Sequence, residues 1–89
     1  MVITVRYYAA ARAAAGVEAE PLEVPDGATL ASALEAVRAV VRSPEPGAPR
    51  LADVLRRCSF LVNEIAAKDP LRPLAAGDQL DVLPPFAGG

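Results

Sequence analysis

The sequence predicts an α+β domain in which a mixed sheet carries helices on one face. Three observations lead to this fold class. The chain contains segments of alternating polarity near both ends, at 2–8 and 79–83, which is the period of half-buried strands. Between them lies a segment, 29–42, whose apolar residues recur at intervals of three and four, as in an amphipathic helix. No internal repeat interrupts this order, so one domain accounts for all 89 residues.

The first strand and the short helix after it are predicted from residues 2–16. Alternation in residues 2–8 gives the strand a buried face that consists of Ile3, Val5 and Tyr7. Tyr8 falls on the opposite face, so only one of the two adjacent tyrosines packs inside. Residues 9–15 are rich in alanine, the best helix former, and Gly16 can end the helix in the left-handed conformation that glycine adopts freely.

A second strand and the principal helix are predicted next. Residues 20–24 form a strand that returns antiparallel beside the first, and Pro25-Asp26-Gly27 turns the chain. Thr29 is suited to cap the helix, because its hydroxyl can accept a hydrogen bond from an unpaired backbone N–H of the first turn. The apolar stripe of this helix contains Leu30, Leu34, Val37 and Val41, and its polar face carries Glu35, Arg38 and Arg42.

The second half of the chain predicts a loop, a shorter helix and further strands. Three prolines and a glycine make residues 43–49 an exposed loop. Residues 50–58 resume a helical period, with an apolar stripe of Leu51, Val54, Leu55 and Cys58. A buried strand at 60–62 turns at Asn63-Glu64 into 65–67, irregular chain follows at 68–76, and Gly77-Asp78 turns into the last strand. In that strand, Leu80 and Val82 alternate with Gln79 and Asp81.

This order of elements resembles the β-grasp fold of ubiquitin, in which the first and last strands lie side by side. We therefore expect a ubiquitin-like domain at 1–83 and an extended tail at 84–89. Two prolines fix φ and keep the tail extended, while Gly88 and Gly89 lack Cβ and allow close passage through another protein. The tail would present the α-carboxylate of Gly89 to a partner; the alternative is a frayed terminus. The residues predicted to contact the partner are Pro84, Pro85, Phe86, Ala87 and Gly88.

Composition excludes several classes of function. The chain has no histidine, the side chain most often used for proton transfer near neutral pH, so we do not expect catalysis by this chain alone. Its nine basic residues do not cluster, so nucleic acid is not an expected partner. No apolar stretch approaches the about 18 to 20 residues of a membrane span, and the first residues do not resemble a signal peptide, so we expect a cytoplasmic protein without membrane association.

We interpret the single cysteine as a packing residue and the paired arginines as solvent-exposed surface residues. Cys58 alone forms no internal disulfide and holds no zinc or iron–sulfur site, so we expect no metal and no cofactor bound by this chain. Its position on an apolar stripe favours packing over a role as a sulfur relay. Arg56-Arg57 are interpreted as a solvated face, with docking to an acidic partner surface as the alternative.

Two segments resemble the small subunit of molybdopterin synthase, the ubiquitin-like sulfur carrier family of molybdenum cofactor biosynthesis. Residues 5–12 (VRYYAAAR) are similar to its first strand and short helix. Residues 77–89 (GDQLDVLPPFAGG) are similar to its closing strand and tail, where a Gly-Asp turn, an apolar strand, paired prolines and a terminal Ala-Gly-Gly occur together. The second segment is the more specific of the two.

The resemblance implies a cycle of activation and transfer at Gly89. An adenylyltransferase of the ubiquitin-activating type would use ATP to adenylate the carboxylate of Gly89, and a sulfur donor protein would replace AMP to leave a thiocarboxylate. The large catalytic subunit, with which family members form heterotetramers, would then pass the sulfur to the dithiolene of molybdopterin. Two alternatives stay open: a sulfur carrier for cysteine or thiamine thiazole synthesis, with the cysteine pathway preferred, and a ubiquitin-like protein modifier or interaction domain.

Overall fold

A five-stranded mixed sheet organises the part of the chain that the computed structural model describes, residues 1–85. The strands are β1 (Val2–Tyr7), β2 (Ala19–Glu23), β3 (Ser59–Val62), β4 (Ile65–Ala66) and β5 (Gln79–Leu83). The helices are α1 (Ala9–Ala15), α2 (Leu30–Ala39) and α3 (Leu51–Leu55). The sheet order is β2-β1-β5-β3-β4, with β1 and β5 parallel and the other pairs antiparallel. The predicted α+β class and the pairing of first and last strands are confirmed.

The hydrophobic core lies between one face of the sheet and the helices. Val5, Leu80 and Val82 on the two central strands are fully buried, as the alternation predicted. Ala33 and Val37 of α2 are equally inaccessible to solvent and cover this face. Because burying an aliphatic side chain contributes about 1.5 to 3 kcal/mol, these contacts hold the central strands in place. No helix within residues 1–85 has the length and apolarity needed to cross a membrane.

Helix α2 begins as predicted but ends earlier than its apolar stripe. The backbone N–H of Ser32 donates to Thr29 Oγ1 at 3.2 Å, and the backbone N–H of Thr29 donates to Ser32 Oγ at 2.8 Å, which completes a reciprocal cap. The helix stops at Ala39, and Val40 is extended. The prediction that Val41 packs on the stripe is wrong, because Val41 lies beyond the helix and is 97% exposed.

The side chain of Arg42 is largely buried, at 9% exposed, rather than solvated, which corrects the prediction that placed it on the polar face of α2. Its guanidinium pairs with both carboxylate oxygens of Glu20, at 3.0 Å from Nη1 and 2.6 Å from Nη2. Nη2 also donates to the carbonyl oxygen of Val37 at 2.9 Å and to the hydroxyl of Tyr7 at 3.0 Å. Tyr7 in turn donates to Glu20. This cluster ties the end of α2 to β1 and β2, and burial raises the pKa of Tyr7 far above its usual range.

We expect Arg42→Ala to lower the free energy of unfolding by about 2 to 3 kcal/mol, because it leaves a mostly buried carboxylate without its cation. Arg38→Ala, at an exposed position on α2, should change it by less than about 0.5 kcal/mol. Urea unfolding of both variants measures the difference. Equal losses in the two variants would show that the cluster adds no stability.

Gly16 ends α1 where the loop after α2 crosses it. Its φ is 77°, and its N–H donates to the carbonyl oxygen of Arg12 at 2.9 Å, as predicted for a left-handed helix end. A Cβ at this position would lie 2.2 Å from the carbonyl oxygen of Ser43. Glu45 adds a backbone hydrogen bond to Ala13 at 3.0 Å. The loop therefore packs on the helix end through a contact that only glycine permits.

Gly16→Ala and Gly47→Ala separate backbone strain from this close contact. Both glycines have a left-handed φ, at 77° and 80°, so each substitution should cost about 1 to 2 kcal/mol of strain. A Cβ at Gly47 meets no described atom within 4 Å, whereas the one at Gly16 clashes with backbone. Thermal or urea unfolding should show Gly16→Ala to be less stable than Gly47→Ala by at least about 1 kcal/mol. Equal stabilities would mean that the loop moves away without cost.

Candidate functional site

The predicted tail leaves the sheet from β5, whose two edges are both paired. β5 pairs with β1 through the register Val5↔Leu80 to Tyr7↔Val82, and with β3 on its other side. The backbone N–H of Tyr8 donates to Val82 at 3.3 Å, which continues the pairing toward the tail. The root of the tail is thus held from both sides.

Only the first two residues of the predicted tail lie within the described part of the chain. Pro84 is buried and Pro85 is exposed, so the chain passes from the core to the surface across this pair. The other predicted site residues, Phe86, Ala87, Gly88 and Gly89, lie outside the described residues. Their assignment to the site, with Gly89 as the reactive group, stays a prediction.

The sheet face opposite the helices carries an ion pair that sequence reasoning missed. Arg6 Nε donates to Asp81 Oδ1 at 3.0 Å and Nη2 donates to Oδ2 at 3.3 Å. Asp81 is only 3% exposed, although the alternation correctly placed it on the polar face of β5. The Arg6 guanidinium also lies 5.8 Å from the ring centroid of Tyr8. The pair depends on the parallel register Arg6↔Asp81, which no local pattern reveals.

Leu83 and Leu61 flank this ion pair on the same face. Leu61 lies opposite Asp81 in the register of β3 and β5, and both leucines are half-buried. Leu80 and Val82 are in the core, so Leu83 is the strand residue that reaches the surface beside the tail. The open face therefore combines apolar side chains with a neutralised charge pair close to the tail root.

Asp78 fixes the start of β5. Its carboxylate accepts from the backbone N–H of Ala75 at 2.8 Å and from the side-chain amide of Asn63 at 3.0 Å. Asn63 Oδ1 accepts from the backbone N–H of Gln79 at 3.0 Å. These hydrogen bonds, led by that from Ala75, lower the pKa of Asp78, because they favour its charged form. The turn between β3 and β4 and the entry to β5 are joined, which sets the register of the strand that carries the tail.

A surface groove of about 590 Å³ lies beside the tail root. Its lining includes Pro84 and Pro85 together with three charged residues of the α3 region, Asp53, Arg56 and Arg57. Both arginines are exposed, as the sequence predicted for a solvated face. Their proximity to the tail was not predicted, because it depends on how α3 packs against α1.

Cys58 packs against the core as predicted. Helix α3 is shorter than the predicted 50–58 and ends at Leu55. After Leu55 the backbone hydrogen bonds join residues three apart, such as that from Arg57 to Val54, which is the tighter pattern common at helix ends. Cys58 Sγ lies 3.2 Å from the carbonyl oxygen of Val54 and is half-buried. Burial raises the pKa of the Cys58 thiol to about 11. A thiol that stays protonated at neutral pH is a poor nucleophile.

We expect iodoacetamide to alkylate Cys58 at pH 8 about a hundredfold more slowly in the folded protein than in urea, because the thiolate fraction falls about tenfold per unit of pKa. Mass spectrometry of timed samples measures both rates, with a free thiol peptide as the control for reagent reactivity in urea. Comparable rates in the folded and unfolded chains would contradict a packed, protonated thiol.

The sheet order, the parallel central pair and the exit of the chain from β5 define the ubiquitin-like β-grasp class. The sequence model of the ThiS family matches residues 5–89. The chain belongs to the ThiS family. Because the match runs through residue 89, it includes the segment in which the site was predicted.

Relatives of known name support this assignment. The chain is 32% identical over 90 residues to the molybdopterin synthase sulfur carrier subunit of Chlamydomonas reinhardtii, and the alignment covers all of both chains. In fold it is similar to a chain in the complex of subunits 1 and 2 of molybdopterin-converting factor from Helicobacter pylori, with a TM-score of 0.65, 24% identity and complete coverage of both. It is also similar to the small archaeal modifier protein 1 of H. volcanii, with a TM-score of 0.70, 23% identity and coverage of 96% and 98%. The predicted β-grasp fold is confirmed.

Proposed function

We propose that this chain is the sulfur carrier subunit of a molybdopterin synthase and that the carboxylate of Gly89 carries the sulfur. The observation that supports the proposal most strongly is the 32% identity to a molybdopterin synthase sulfur carrier subunit over the full length of both chains. The family match through residue 89 agrees with it. The fold adds a rigid strand from which the tail departs.

The chemistry at Gly89 begins with activation by another protein. A carboxylate is a poor electrophile, so one of its oxygens first attacks the α-phosphorus of ATP, pyrophosphate leaves, and a mixed anhydride with AMP forms. The sulfur donor protein then supplies sulfur at the oxidation level of sulfide, which attacks the acyl carbon, breaks its bond to the phosphate oxygen of AMP and leaves the thiocarboxylate and free AMP. An adenylyltransferase of the ubiquitin-activating type provides the active site for the first step.

The chain contributes position and access rather than a catalytic side chain. Six residues, 84–89, span at most about 20 Å when extended, so the terminus can enter a partner while the domain stays outside. Gly88 and Gly89 let a narrow channel close around the acyl group, which protects the adenylate and the thiocarboxylate from water. Phe86 supplies an apolar anchor for the partner's groove, and Ala87 adds little width.

The large catalytic subunit of the synthase is the proposed receiver of the sulfur. The H. pylori structure named above is a complex of subunits 1 and 2 of molybdopterin-converting factor, and this chain shares the fold of one of its chains. The tail would enter the large subunit and give up its sulfur to a pterin precursor. Two rounds would complete the dithiolene; in each, the sulfur would bond to the precursor and water would cleave its bond to the acyl carbon, which returns Gly89 to a carboxylate.

We expect Gly89→Val to fold normally but to accept no sulfur, because its side chain obstructs the channel around the acyl group. The protein is incubated with ATP, the cognate adenylyltransferase and a sulfur donor, and intact mass is recorded. The wild-type chain should gain about 16 Da, the mass difference between one sulfur and one oxygen atom, when sulfur replaces one oxygen of the terminal carboxylate. Ala76→Val, at an exposed loop position, is the matched control and should be loaded normally.

Two outcomes of this experiment, and one outcome of a pull-down with the loaded chain, would overturn the proposal. Ordinary loading of Gly89→Val would remove the requirement for a bare terminus. Amide-linked conjugates without the thiocarboxylate would identify a protein modifier. A loaded chain that co-purifies with a cysteine synthase instead of the large subunit of molybdopterin synthase would assign the carrier to cysteine synthesis.

A further inference from the structure

The surface around α3 is basic although the protein as a whole is acidic. The formal net charge of the chain is −2. Two grooves border α3, and the charged residues that line them are Arg38, Arg50, Arg56, Arg57 and Asp53. The local excess is therefore three positive charges. A concentration of charge opposite to that of the whole protein creates a local field that an oppositely charged surface can recognise.

Within this basic surface, Arg56 and Arg57 are the arginines available to a partner beside the tail. Arg50 already pairs with Asp53, at 3.5 Å between Nε and Oδ2. Neither Arg56 nor Arg57 forms an ion pair within residues 1–85, and both are exposed. They line the same groove as Pro84 and Pro85. The two cations thus border the groove beside which the chain leaves the domain.

A protein that receives the tail has to approach these arginines. Residues 84–89 reach at most about 20 Å, so a partner that encloses Gly88 and Gly89 within its interior brings its outer rim to the tail root. Covering a guanidinium without a counter-charge costs desolvation energy, whereas a carboxylate opposite it compensates the loss of water. The groove beside Pro85 therefore fits a rim that carries aspartate or glutamate.

We propose that Arg56 and Arg57 dock against an acidic rim of the large subunit of molybdopterin synthase. The inference rests on the proposed function. The large subunit is the protein that we expect to cover this groove, because it has to hold the tail throughout sulfur transfer. The activating enzyme, in contrast, releases the chain once Gly89 is loaded.

The test compares charge reversals in the full-length chain. Association with the large subunit from the same organism is measured by stopped-flow or surface plasmon resonance at about 20 mM and about 500 mM salt. Arg56→Glu with Arg57→Glu should lower the association rate at low salt at least about tenfold, and the rates should converge at high salt. Arg56→Gln with Arg57→Gln, which adds no repulsion, should show a smaller loss in the same direction. Lys68→Glu, at an exposed position in a different groove, changes the charge as much as either single Arg→Glu substitution and should reduce the rate less than twofold.

The outcomes separate this inference from the proposed function. If the wild-type chain binds the large subunit and accepts sulfur but the double Glu variant associates at the wild-type rate, the docking inference is wrong and the proposed function stands. Equal losses for Lys68→Glu and for the single Arg56→Glu and Arg57→Glu variants would also overturn it, because the effect would then follow net charge. If the wild-type chain neither binds nor accepts sulfur, both proposals fail.

Discussion

The placement of β5 between β1 and β3 is the constraint on which the rest of the structure depends. Its inward side chains, Leu80 and Val82, are fully buried in the core. Its outward carboxylate, Asp81, is covered by Arg6 of the neighbouring parallel strand. Both edges of the strand are thus paired, and its inward face and Asp81 are covered, before the chain reaches Pro84. For the proposed delivery of the terminus to another protein, this arrangement provides a defined point of departure, which limits the conformational entropy lost on capture.

Local patterns predicted most elements because local physics determines them. Alternation located β1 and β5, alanine content and Gly16 bounded α1, and the hydroxyl of Thr29 identified the start of α2. The end of α2 was predicted too late because the apolar spacing continues to Val41 after the helix has stopped. An apolar residue at the right interval does not reveal whether a core lies opposite it.

The errors at charged residues have a different origin, which is distance along the chain. Arg42 meets Glu20 across 22 residues, and Arg6 meets Asp81 across 75, so each pair depends on strand register and packing. The same dependence on packing limits how much of the candidate site the sequence predicts. The chemistry expected at Gly89 came from the resemblance of residues 77–89 to a known family, and it stays a prediction, although the family match includes that segment. The position of Arg56 beside Pro85 required the packing of α3, which no sequence period specifies.

The double pairing of β5 also has a mechanical consequence. A pull on the chain beyond Leu83 along the axis of β5 loads its pairing with parallel β1 and with antiparallel β3 at the same time. The backbone hydrogen bonds on both edges then resist together, in shear, instead of opening one after another from an end. If the tail enters and leaves a partner as proposed, this arrangement lets the domain bear repeated traction without unravelling.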